Sequence, residues 1–157
     1  MRKSYLFLLL SLYFIGCVPT SVLTDKEKEF VFSHEVNLKK NEIKMRLLQY
    51  ANENFVSGKA VIQTNEDGML SGNGETTVKE YKGLLGETQS IINMEFTFIV
   101  KYEDNKYKIK WIVKDMSTSK GSFSTDYWGF YKDEIDTSIT KYDQNLYDYM
   151  KNKDLNF

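Results

Sequence analysis

Two matched runs of alternating residues constrain this chain more than any other feature. Met94, Phe96, Phe98, Val100 and Tyr102 alternate with Asn93, Glu95, Thr97, Ile99 and Lys101. After Asp104-Asn105, Tyr107, Ile109, Trp111 and Val113 alternate with Lys108, Lys110, Ile112 and Lys114. A strand points successive side chains to opposite faces, so each run is a strand with one apolar and one polar face. A two-residue turn at Asp104-Asn105 pairs Tyr102 with Tyr107, Phe98 with Trp111 and Glu95 with Lys114. Aromatic rings then meet on one face and opposite charges on the other. Sliding the register by one residue destroys both matches, so the pairing is well specified. Whatever else the chain builds must cover the aromatic face.

Two segments have the period for that task. Within residues 38–55, Ile43, Leu47, Tyr50, Ala51 and Phe55 fall at helical spacings, and Gly58 follows as a stop. Over about residues 132–150, Ile135, Ile139, Tyr142, Leu146 and Tyr149 form a second stripe. Asp133, Glu134 and Asp136 suit the positive end of that helix. Strands are predicted at residues 30–36, 60–64 and 69–78, the last two joined by a turn with a strong Asp67-Gly68 signal. Gly72 and Gly74 mark a bulge or a close backbone approach. Residues 79–89 read as a loop and 117–125 as a polar linker. The order β-α-β-β-β-β-α makes an α+β domain: an antiparallel sheet of about five strands with two helices on one face.

The N-terminus has another character. Arg2 and Lys3 precede an uncharged apolar run from Tyr5 to Ile15, and Gly16-Cys17 closes it with the only cysteine of the chain. The run is about 11 residues, whereas a membrane-spanning helix needs roughly 20. It has the layout of a secretion signal, and its end resembles the cleavage region of bacterial lipoproteins. That resemblance implies a signal peptide over 1–16, an acylated Cys17, a tether over 17–24 and a single domain over 25–157. The other reading is an ordinary signal peptide with a free cysteine near its end. A multiply acylated Cys17 would hold the membrane firmly. Val18-Pro19-Thr20-Ser21 lacks the acidic run that sends some Bacteroidetes lipoproteins to the cell surface, which favours an outer-membrane anchor facing the periplasm.

Without residues 1–16 the chain keeps 19 basic and 22 acidic residues, a charge of −3. So mild a charge gives no reason to expect a nucleic-acid partner. One cysteine allows no internal disulfide, so the domain must be held by packing alone.

NEIKMRLLQYANENFVSGKAVIQ (41–63), GMLSGNGETTV (68–78) and MEFTFIVKYEDNKYKIKWIVKDM (94–116) give a helix ending in an aromatic, a short Val/Ile strand, a Gly-x-Gly strand and an amphipathic hairpin. In that order, over residues of about 30–116, the chain resembles a bacterial family common in Bacteroidetes, domain of unknown function 4468. The resemblance implies a TATA-box-binding-protein-like fold. It implies no catalytic or binding residue, because the family's role is unknown. Nor does the fold name imply DNA binding: the eukaryotic protein uses a basic concave sheet, and fold does not fix function.

Catalytic and metal signatures are weak. Metal sites need converging His, Cys or carboxylate ligands, and His34 is the one histidine. Ser33-His34 on a strand would point to opposite faces, so His34 reads as structural or solvated. The acid pairs Glu66-Asp67, Glu103-Asp104 and Asp133-Glu134 sit in predicted turns or at a helix start, where acids serve local structure. No cofactor, metal or enzymatic activity is expected; a hydrolase or a lipid- or glycan-handling protein is the alternative. Two surfaces remain. The polar hairpin face carries Lys101, Lys108, Lys110, Lys114 and Glu95 around Ile99 and Ile112, a docking surface for an envelope protein or anionic glycan, or else a solvated face. The aromatic cluster at 127–131 either closes the core or stacks on sugar. The expected function is a membrane-tethered, non-catalytic binding or assembly module.

Overall fold

The computed structural model describes residues 21–54, 62–84, 86, 88–119, 121–122 and 124–152. The elements are β1 (Glu29–Glu35), α1 (Lys40–Asn54), β2 (Ile62–Glu66), β3 (Met69–Lys82), β4 (Thr88–Glu103), β5 (Lys106–Thr118), the two-residue β6 (Gly121–Ser122), a 3-10 helix (Thr125–Tyr131) and α2 (Lys132–Asn152). The sheet runs β1-β5-β4-β3-β2, antiparallel throughout, and β6 pairs with the end of β5. Both helices cover the same face. The expected α+β architecture and the element order β-α-β-β-β-β-α along the chain are the observed ones, with β6 and the 3-10 helix in addition. The helix stop at Gly58 and the start of the strand at 60–64 lie outside the described residues.

The central hairpin has the expected register near its turn, Tyr102 opposite Tyr107 and Phe98 opposite Trp111. Asn105 adopts φ 64°, a left-handed conformation that asparagine tolerates better than most residues. The expected Glu95–Lys114 pair does not form. Glu95 stands opposite Asp115, because a bulge at Lys114 adds one residue to β5. The extra residue changes the parity of the strand. Met116 can then join Val113 in the core, fully buried.

Residues 79–89 are not a loop. β3 runs on to Lys82 and β4 begins at Thr88, with Val78 left unpaired in a bulge that turns Lys79 and Tyr81 toward the helices. Lys79 there pairs with Glu134 of α2. The Tyr81 hydroxyl meets that of Tyr131 at 2.9 Å. That contact, with burial behind it, pushes the Tyr131 phenol up to about 12. The linker expected over 117–125 likewise contains the end of β5 and all of β6.

The hairpin turn also starts α1. Lys40 N–H donates to Asp104 Oδ1 at 2.7 Å, and Asn105 N–H donates to Leu38 O at 2.9 Å. Glu42 accepts from Lys39 N–H at 2.8 Å. Two carboxylates thus meet the positive end of the helix. The stripe Ile43, Leu47, Tyr50 and Ala51 packs under the sheet beside Ile135, Ile139, Leu146 and Met150 of α2. Phe96, Phe98, Val100, Ile109 and Trp111 supply the sheet side of that core.

Residues 21–24, expected in the tether, are packed against the domain. Leu23 is buried. Ser21 N–H donates to Asp126 O at 2.6 Å, and Gly129 N–H donates to Ser21 O at 2.5 Å. A Cβ at Gly129 would stand 2.6 Å from that same Ser21 oxygen, so the glycine is what lets the N-terminal segment cross here.

Candidate functional site

The face of the sheet away from the helices is open. It is built from the outward residues of four strands: Glu29, Val31 and Ser33 on β1, Lys108, Lys110 and Ile112 on β5, Thr97, Ile99 and Lys101 on β4, and Ser71 and Asn73 on β3. Val31, Ile99, Lys101, Lys108 and Lys110 line one shallow depression of about 380 Å³. A second, of about 540 Å³, continues it toward the hairpin tip through Ser33, Glu35, Glu103 and Lys106, sharing Lys101 and Lys108.

The charges in it are unevenly matched. Lys110 is neutralised by Glu29 at 2.7 Å and Lys106 by Glu103 at 2.6 Å. Lys101 and Lys108 stand directly opposite each other across the β4–β5 ladder. Neither has a carboxylate within ion-pair reach among the described residues. Like charges in that position weaken a sheet. Beside them lie Val31, 51% exposed, and half-buried Ile99.

Sequence reasoning grouped Glu95 and Lys114 with these lysines, and the fold separates them. They line another depression with Gln63, Asn73, Glu75 and Thr97, where Lys114 lies among acids. Ile112 is outward, as expected, between Glu29 and Thr97. Cys17 lies outside the described residues.

Most of the paired acids have local duties. Asp67 accepts from Lys40 Nζ at 2.7 Å, which holds its carboxyl below the usual range. Asp104 caps α1, and Glu134 is held low by Lys79. Among the described residues no group of three or more His, Cys, Asp or Glu is placed to hold a metal. No helix among them is long and apolar enough to cross a membrane. In the aromatic cluster Trp128 is buried, with Lys28 over its ring at 5.3 Å, while Phe130 is 52% exposed.

One polar constellation lies beneath the sheet. His34 Nε2 is 2.8 Å from Asp143 Oδ2, and the imidazole stacks on Tyr147 at 4.6 Å and against Tyr107 at 5.1 Å. Burial pushes the Asp143 carboxyl up, and His34 opposes that shift. Tyr107 is pushed up by its burial and by Asp143. The Tyr107 hydroxyl is buried without a hydrogen-bond partner, and the buried Trp111 indole N–H also helps hold the Asp143 carboxyl down. The one sequence signal for it was an acid at position 143, four residues on from Ile139 and three before Leu146, inside the apolar stripe of α2.

Residues 33–112 match the family model described as "Domain of unknown function (DUF4468) with TBP-like fold". The chain belongs to this family. The DUF4468 segment holds Ile99, Lys101, Lys108 and Lys110, and it ends before Lys114 and before α2 with Asp143. A crystal structure of a DUF4468 family protein from Bacteroides ovatus superposes with a TM-score of 0.60 at 9% identity, covering 92% of this chain and 98% of that one. A TBP-like protein from Parabacteroides distasonis does so with a TM-score of 0.60 at 11% identity, covering 85% and 99%. At such identities the likeness shows the fold alone, but over more of the chain than the family model spans. No curated protein matches the sequence.

Proposed function

We propose that this DUF4468 domain is a non-catalytic docking module of the bacterial cell envelope, held to a membrane through acylated Cys17. The outer membrane, on its periplasmic side, is the proposed location. The open sheet face takes an acidic, partly apolar segment of another envelope protein. The observation that carries this reading is the unmatched pair Lys101 and Lys108 beside exposed Val31 and half-buried Ile99. An anionic segment laid across them relieves the like-charge contact, and its apolar residues gain cover on the aliphatic floor. The paired acids favour binding over catalysis, since all but exposed Glu66 are tied to a lysine or a helix end. The charge of the chain and its export signal argue against nucleic acid as the partner.

A labelled peptide alternating Glu and Leu serves as a probe in fluorescence anisotropy. Lys101→Glu with Lys108→Glu is expected to weaken its binding roughly tenfold or more, since each tenfold needs only about 1.4 kcal/mol. Lys141→Glu, on the exposed side of α2, should leave binding unchanged. Equal affinity for the wild type and the double variant would contradict the proposal.

A further inference from the structure

We infer that the end of the domain carrying the 3-10 helix lies against the lipid surface, with Phe130 and Val22 in contact with it. The inference rests on the acylation of Cys17 proposed above. Four large apolar side chains gather at this end. Val22 is 56% exposed, Phe130 52%, Tyr81 40%, and Leu84 wholly exposed. They are four of the six large exposed apolar residues among those described; Val31 and Met45 are the others.

The contacts place them together. Ser21 is clamped by Asp126 and Gly129, which brings the backbone just before Val22 against the 3-10 helix, one residue from Phe130. Phe130 stacks with Tyr127 at 6.4 Å. Tyr131, its neighbour in sequence, bonds Tyr81, and Leu84 follows three residues later in the turn between β3 and β4.

The length of the tether decides what covers the patch. Only three residues separate Cys17 from Ser21, and four peptide steps reach at most about 14 Å. Acyl chains in the bilayer therefore leave the Ser21 clamp within about 14 Å of the lipid. An exposed apolar patch at that spot is within reach of the interface and gains cover by meeting it. Among the described residues nearby, Lys132 pairs with Asp136, Lys79 pairs with Glu134 and Lys28 covers Trp128, while Lys82 beside Tyr81 is exposed. The contact rests on the apolar side chains. It also orients the docking face. Lys101 stands thirteen residues along β4 from Thr88, which lies at the patch end, or about 40 Å at about 3.3 Å per residue. The lysine pair is held away from the bilayer, where a soluble partner reaches it.

The test uses the full mature chain, purified from membranes and reconstituted in phosphatidylcholine vesicles containing brominated lipid. Phe130→Trp is expected to be quenched severalfold more strongly than Val31→Trp on the open sheet face, with the wild-type signal subtracted. The mass of the N-terminal peptide is read on the same preparation. Acylated Cys17 with equal quenching at the two positions overturns the orientation alone. An unacylated Cys17 overturns the anchoring on which it rests. Stronger quenching at position 130, unchanged when anionic lipid is added, supports the apolar contact.

Discussion

Replacing His34 with alanine is expected to destabilise the fold by about 3–5 kcal/mol at neutral pH, because the change strands a buried carboxylate. Asp143 is 4% exposed, and the imidazole is the one cation-capable group bonded to it. Tyr107, Trp111 and Tyr147 surround the pair, and none of them carries a positive charge. The loss should depend on pH in a definite direction. Burial holds the Asp143 carboxyl above its ordinary value, and His34 opposes that. Without His34 the opposing influence is gone, so the raised value rises further. A raised carboxyl favours the folded state while it is protonated, and that contribution is lost as pH rises through its folded value. The penalty in the variant is therefore full near neutrality and shrinks as pH falls toward the ordinary carboxylate range. Urea titrations at about pH 7 and about pH 4.5 compare the two conditions. An equal loss at both would contradict the account. Asp143→Asn should destabilise less than His34→Ala, since it removes the buried charge instead of stranding it.

Trp128→Ala is the second large effect, with an expected loss of about 3–5 kcal/mol from the cavity left behind. A small domain has only about 5–15 kcal/mol of stability, so the variant should melt far below the wild type. The ring is 2% exposed and belongs to the same core as Leu23, and Lys28 closes its remaining side. It has no free face for a sugar. A folded Trp128→Ala protein of wild-type stability that fails to retain a glycan would reverse this assignment. Thermal unfolding followed by circular dichroism settles it.

The fold was legible where a period ran uninterrupted. The alternation from Met94 to Tyr102 and from Tyr107 to Val113 specified the hairpin register, and the stripes through Ile43 and Ile135 specified which faces the helices bury. Reading failed where a bulge changed the parity. Val113 and Met116 both reach the core, and three residues apart on a strand they do so only across an extra residue. That parity break was the available sign of the bulge at Lys114. Residues 79–82 were harder. Their inward side chains are Lys79 and Tyr81, which look like loop chemistry until Glu134 and Tyr131 are brought to them. The packing of Ser21 on Gly129 left no local trace at all.

The candidate site divides in the same manner. Lys101, Lys108, Lys110 and Ile99 were placed on one face by strand period alone, and they share a depression. Which of the lysines lack an acid was set by neighbouring strands: Glu29 reaches Lys110 only because β1 pairs with β5. Asp143 stood out as an acid in an apolar stripe, but its partner lies 109 residues earlier, a pairing that no local pattern encodes.

The most direct test of the docking face is a photo-crosslinking side chain in place of Ile99, irradiated in intact cells, with the same group at Lys141 as control. The account predicts a discrete crosslinked protein at position 99, absent at 141 and lost when Lys101→Glu and Lys108→Glu are added. Crosslinking that is equal at both positions, or that survives the charge reversal, would contradict it.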